Sequence, residues 1–247
     1  MCRHLGYLGT PTRIGELLFD APHALVQQGR APREMVVAKD NPDGWGVAWW
    51  KSVNLPPLHY RRAVPMWEDT AFDQGADTSS ALLAAVRKAS PHTTLREENN
   101  APFVADSRVG PLAFSLNGHA FHESCADRVK DAVRAGTVFV GDTDSEMLFA
   151  LVRDRIDDGM DPAAAIAAVH HVIDPGPEVY VNLMLVTPHV LAATTWHHTL
   201  YVREGPAGVT AASEALDRDP AWRRVPDAHL LTATATGVAT ISLEGLR

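Results

Sequence analysis

The sequence predicts an α+β fold built in layers. Strand-like apolar runs crowd both ends of the chain, and capped helical patterns occupy its middle. No repeat, linker or low-complexity tract divides its 247 residues. A single unit over residues 1–247 is therefore the simplest division, with 2–247 expected for the mature chain.

The elements follow in order. Residues 2–9 and 17–19 read as short strand-like segments, with a helical turn over 22–28 and a loop around Gly29 and Pro32. Asn41-Pro42-Asp43-Gly44 is a turn signal, and the glycine there permits close backbone approach. Trp45-Gly46-Val47-Ala48-Trp49-Trp50 follows as an aromatic strand, with a hairpin partner at 58–64 and a short helical piece at 68–74. Leu82-Leu83-Ala84-Ala85-Val86 is an apolar run of strand length, read as a buried strand ending at Arg87 and Lys88. Residues 90–102 are polar and turn-rich, and 111–116 form another apolar strand, closed by Asn117-Gly118.

The helical middle carries its own signals. Ser124 and Asp127 mark a helix start and Gly136 its end, with Cys125, Val129, Ala132 and Val133 on one face. Thr143-Asp144-Ser145-Glu146 has capping-box spacing, in which Thr143 caps the helix and Glu146 reaches back. Asp161-Pro162 opens a second, alanine-rich helix to about Ile173. Strands are then expected at 179–186, 190–195, 200–203, 209–213, 230–235 and 238–243.

A formal charge of −8 argues against nucleic acid or an anionic membrane as the partner, since both need clustered Lys and Arg. A small-molecule partner is expected instead. No apolar run has membrane-spanning length and no secretory signal pattern opens the chain, so a cytoplasmic location is expected. Two cysteines, Cys2 and Cys125, make no disulfide framework, and Cys125 reads as core. Twelve histidines include the pairs His170-His171 and His197-His198, but none has the spacing of a metal site, so neither a metal nor another cofactor is expected.

The most informative stretch for chemistry is Met1-Cys2-Arg3-His4-Leu5-Gly6. Removal of Met1 would leave Cys2 with a thiol and an α-amino group on one residue, and the amine, titrating near 7.7 to 8.0, can act as base toward the sulfur. In chain order there follow the Asp43-Gly44-Trp45-Gly46 turn, Arg87 at a strand end, Asn117-Gly118 at another, and Asp144 opening a helix.

Together these motifs resemble the class II glutamine amidotransferases, a branch of the N-terminal-nucleophile hydrolases. The resemblance implies a four-layer αββα sandwich with Cys2 as nucleophile, and Asn117 (side-chain amide) and Gly118 (backbone N–H) as oxyanion donors. It implies that Arg87 holds the glutamyl α-carboxylate and Asp144 the α-ammonium. Ser90 stands where a Thr often follows the arginine, and Leu116 where members commonly carry His before Asn-Gly.

Further segments resemble a free-standing hydrolase branch of that family, which cleaves a γ-glutamyl amide in ergothioneine biosynthesis. They are Ala101-Pro102-Phe103, residues 191–196 and residues 212–230, among them Ser213-Glu214. This implies water as acceptor and a trimethylammonium-bearing amine as leaving group, for which Trp45, Trp49, Trp67, Trp196 and Trp222 are candidate aromatic contacts, Trp45 foremost. The alternatives are a glutaminase subunit feeding ammonia to a separate synthase and, from another class, an inactive binding module that retains Met1.

Overall fold

The computed structural model describes residues 2–35, 38–73, 77–90, 93–119 and 123–246. Met1, Gln74 and His122 lie outside them, as does the side chain of Ser124. In chain order the elements are β1 (Arg3–Arg13), a π-helical turn (Glu16–Asp20), α1 (Leu25–Arg30), β2 (Gly44–Trp50), β3 (Leu58–Arg62), β4 (Thr78–Arg87) and a 3₁₀ turn (Glu97–Asn99). There follow β5 (Phe103–Ser107), β6 (Gly110–Gly118), α2 (Glu123–Ala132), α3 (Asp144–Asp157), α4 (Pro162–Ile173), β7 (Val181–Val186) and β8 (Leu191–Thr194). The chain closes with β9 (Tyr201–Gly205), β10 (Gly208–Ala212), β11 (Arg223–Arg224), β12 (His229–Thr234), β13 (Gly237–Ser242) and a 3₁₀ turn (Leu243–Leu246).

The strands form two antiparallel sheets of order β11-β9-β10-β1-β4-β2-β3 and β13-β12-β8-β7-β6-β5. Alternation along each strand decides the layers. In β4, Ala81 and Leu83 face the second sheet, while Leu82, Ala84 and Val86 face out under α1 and the π-helical turn. Both faces of β4 are thus covered, which is why its apolar run is unbroken. In the second sheet, Leu183 and Leu185 of β7 face α2, α3 and α4, and Met184 and Val186 face the first sheet. The result is the expected four-layer order of helix, sheet, sheet, helix. Alanines 48, 81, 113, 193, 211 and 233 line the space between the sheets and let them approach closely.

Four expectations are corrected. Residues 17–19 are not a strand: β1 runs on to Arg13, which lies 3.7 Å from both Glu16 and Asp20, and Leu17 and Leu18 are buried by the π-helical turn instead. Residues 68–73 form no helix, because the Asp69 carboxylate accepts from the Ala71 N–H, Tyr60 Oη and Trp45 Nε1 and so organises a turn. Strand β5 was not expected, since its short run Phe103–Ser107 alternates weakly and is recognisable only through its pairing with β6. Finally, Thr143 does cap α3, its Oγ1 accepting from the Glu146 N–H at 3.3 Å, but Glu146 binds the backbone N–H groups of Val140 and Gly141 rather than reaching back to the cap. Asp161 caps α4 by accepting from Ala163 and Ala164, and buried Cys125 packs in the helical-layer core.

No helix among the described residues is long and apolar enough to cross a membrane. Because Leu83 is fully buried between the sheets, Leu83→Ala is expected to lower unfolding free energy by about 2 to 5 kcal/mol in urea denaturation. A loss well under 1 kcal/mol would show that this layer is not packed as described.

Candidate active site

Pairing in the first sheet sets Arg3 opposite Val86 and Gly44 opposite Arg87, so the first residue of β1, the last of β4 and the first of β2 end side by side. Across the gap, β6 ends at Asn117 and Gly118, paired to Asn182 and Val181 of β7. One cavity of about 230 Å³ opens at this end, and Cys2, Arg87, Lys88, Ser90, Leu116, Gly118 and Asp144 all border it. Asn117 lies directly behind, fully buried, its Oδ1 accepting from the Cys2 backbone nitrogen at 3.2 Å. Residues separated by more than a hundred positions in sequence are thereby gathered around one thiol.

Each side chain has a local cause for its placement. Cys2 is a free, half-buried thiol. Beneath it the His4 ring lies between the sheets with Nδ1 3.0 Å from Ser115 Oγ. Gly118 has φ of +134°, and a Cβ there would stand 1.9 Å from the Tyr180 carbonyl oxygen, so only glycine fits this strand end. Asp144 occupies the first turn of α3, where a carboxylate is favoured by the helix dipole, and His119 Nδ1 is 3.6 Å from its Oδ2.

Arg87 is almost fully buried at the cavity wall, and Asn100 holds it there by accepting from its Nη1 at 3.5 Å. The Asn100 amide in turn donates to the Arg62 carbonyl at 2.9 Å. A Cβ on Gly44, at φ of +147°, would lie 2.4 Å from the Asn100 side chain, and one on Gly46 would lie 2.7 Å from the Ala101 carbonyl. The two glycines of the Asp43-Gly44-Trp45-Gly46 motif are therefore notches that admit the segment supporting Arg87.

Residues that sequence reasoning missed also rim the cavity. Asn99 and Asp142 bond reciprocally, Asn99 Nδ2 donating to Asp142 Oδ1 at 2.7 Å and the Asp142 N–H to Asn99 Oδ1 at 3.1 Å. This joins the segment before β5 to the one before α3. Their only sequence signal was a run of polar residues in loops.

Trp45 is a correction. Its parity in β2 turns it to the outer face, where it is fully buried among Phe19, Tyr60 and Phe72 and donates to Asp69. Trp49 bonds Asp77, and Trp222 bonds Asp217 and stacks on Arg203. Trp67 and Trp196 pack against the two helical-layer cores. None of the five borders the Cys2 cavity.

On the outer side of β1, Arg3 lies fully buried beside Glu214, with Nε 3.1 Å from Oε1. Glu214 also meets His23 Nε2 at 2.6 Å and accepts from the backbone N–H groups of Arg33 and Glu34. Burial works to raise the Glu214 pKa, but the His23, Arg33 and Arg3 contacts outweigh it and hold the carboxyl below its ordinary range. Glu214 thus ties the segment after α1 to the strand that bears Cys2.

Residues 24–206 match the class II glutamine amidotransferases. The chain belongs to this family. It is 32% identical to the γ-glutamyl-hercynylcysteine sulfoxide hydrolase of Mycobacterium tuberculosis, over 99% of this chain and 97% of that protein. The enzyme of that name from Mycolicibacterium smegmatis is 34% identical over 94% of this chain and 95% of its own length. Among solved structures, a glutamine aminotransferase class-II domain protein from Silicibacter pomeroyi superposes with a TM-score of 0.65 at 22% identity, covering 98% of this chain and 99% of that one. A glutamine phosphoribosylpyrophosphate amidotransferase from Bacillus subtilis gives 0.73 at 15% identity over 98% of this chain and 49% of its own. These two likenesses establish the fold alone. The match begins at residue 24 and so omits Cys2.

Buried imidazoles give this class II domain a pH dependence. Burial, reinforced by the Arg3 charge, pushes His4 down to about 3. His198, buried near Arg3 and His4, is pushed down to about 3 by burial first and those charges second. Unfolding restores a value near 6.5, so the unfolded chain takes up protons first. Stability is fully present above about pH 6.5 and is lost as pH falls toward 3, by about 1.4 kcal/mol per unit for each such histidine. Urea midpoints are therefore expected to fall steeply from pH 6.5 to 5, and His198→Gln to flatten that slope by about one proton. An unchanged slope in the variant would remove His198 from the account.

Proposed function

We propose that this chain hydrolyses γ-glutamyl-hercynylcysteine sulfoxide to glutamate and hercynylcysteine sulfoxide, as a cytoplasmic enzyme acting through a thioester on Cys2. The observation that carries the reading is the common cavity of Cys2, Arg87, Gly118 and Asp144, with Asn117 behind the nucleophile. The mycobacterial relatives, which bear that activity in their name, support the choice of substrate.

After removal of Met1, the Cys2 α-amine takes the thiol proton and the sulfur attacks the γ-carbonyl carbon. The carbonyl oxygen becomes an oxyanion met by the Asn117 amide and the Gly118 N–H, each such donor contributing about 3 kcal/mol. The ammonium returns its proton to the departing nitrogen as the C–N bond breaks, leaving the glutamyl thioester. Water then attacks that carbon, the amine again takes a proton, and the C–S bond breaks to free glutamate. Arg87, a planar cation held by Asn100, suits the α-carboxylate, and Asp144, on the wall of the same cavity, suits the α-ammonium.

Kinetics with the sulfoxide substrate and with glutamine separate this reading from the ammonia-supplying alternative. The sulfoxide substrate is expected to give the higher kcat/KM by at least tenfold; a preference for glutamine would sink the assignment. Cys2→Ala should abolish turnover. Arg87→Lys replaces a two-point contact by one charge and should raise KM about tenfold or more while changing kcat little. Intact mass of the purified chain should show loss of methionine and a single adduct with a γ-glutamyl electrophile; an active protein retaining Met1 would rule out the amine as base.

A further inference from the structure

Asn117 can serve an oxyanion only if its amide plane is fixed, and one buried residue outside the assigned set fixes it. Ser213 directly follows β10 and is fully buried between the sheets. Its Oγ accepts from Asn117 Nδ2 at 3.4 Å and from the His4 N–H at 3.0 Å, and it donates to the His4 carbonyl at 3.3 Å. The Ser213 backbone N–H also donates to the His4 carbonyl, at 3.0 Å, and its own carbonyl accepts from Thr199 Oγ1 at 2.8 Å. A hydroxyl offers one proton and two lone pairs, so this one is fully used.

We infer that Ser213 is a positioning residue for the oxyanion donor: its hydroxyl occupies one hydrogen of the Asn117 amide and aims the other at the developing oxyanion. The inference rests on the proposed acyl-transfer reading. Asn117 Oδ1 is occupied by the Cys2 nitrogen, so the amide is held at two points, at its oxygen and at one hydrogen. The torsion that turns an amide about its Cβ–Cγ bond is soft, with broad and roughly two-fold minima. Without the Ser213 hydroxyl only the bond to Cys2 would resist that rotation. Ser213 also bonds both backbone groups of His4, two residues after the nucleophile, so it locates the donor and the strand that carries the thiol from a single atom.

The test compares Ser213→Ala, Ser213→Thr and Ser213→Cys with the wild type, measuring γ-glutamyl hydrolysis and, separately, Cys2 alkylation by iodoacetamide. Alkylation displaces iodide and builds no oxyanion, so it reports the thiol without the hole. Ser213→Ala is expected to lose about tenfold or more in kcat, below the 10²–10³ for deleting an oxyanion donor outright, at unchanged KM. Its alkylation rate should stay within twofold of wild type. Ser213→Thr, which keeps the hydroxyl, should recover most of kcat. In an Asn117→Ala background the alanine change should add almost no further loss, since the two side chains act as one unit. If alanine does not fold, Ser213→Cys, nearly isosteric and a weaker acceptor, carries the same expectation of lower kcat at unchanged KM. Wild-type kcat in the alanine or cysteine variant, or an alkylation rate that falls in step with kcat, overturns the inference while leaving the proposed activity standing. A wild type that cleaves no γ-glutamyl amide overturns both.

Discussion

The hydrogen bond from the Cys2 backbone nitrogen to the Asn117 side-chain oxygen crosses from one sheet to the other, and the site depends on it. It forms only where the start of β1 and the end of β6 meet at the same end of the sandwich, with the alanine-lined space between the sheets keeping them close. Two antiparallel sheets stacked face to face place many strand ends at each rim. In this chain the rim so built carries the Cys2 cavity.

The strand that follows Cys2 is held on both faces by one dipeptide. Ser213 points inward to His4 and Asn117, while Glu214 points outward to Arg3, His23 and the segment after α1. This arrangement buries a positive charge next to Cys2, and both Arg3 Nη atoms lack a hydrogen-bond partner among the described residues. Burying an ion pair is costly even when paired, so such a cluster argues for placement of the strand rather than for stability. Burial and the same Arg3 charge push the imidazoles of His4 and His198 down to about 3, while Arg87 lines the Cys2 cavity.

Much of the fold was legible because strands buried on both faces and helices with distinct caps leave strong local marks. The aromatic strand β2, the run in β4, and the caps at Thr143 and Asp161 are examples. The departures differ in cause. Residues 68–73 answer to Trp45 and Tyr60 on strands β2 and β3, β5 exists through its pairing with β6, and Leu17 and Leu18 are buried in a π-helical turn whose apolar run has the length of a strand. Glu146 obeyed the spacing of a capping box but found closer donors in the loop before its own helix.

By itself the sequence determined the second-position thiol, the order of the motifs that follow it and the glycines at Gly44 and Gly118, because a residue's type and a tight turn are local facts. Tertiary structure alone decided that Asn100, Asn99, Asp142 and Ser213 support the site, and that Trp45 does not. A side chain's outward or inward parity in a sheet, and which strand end lies opposite another, follow from register across the sandwich, and no local pattern of residues encodes that register.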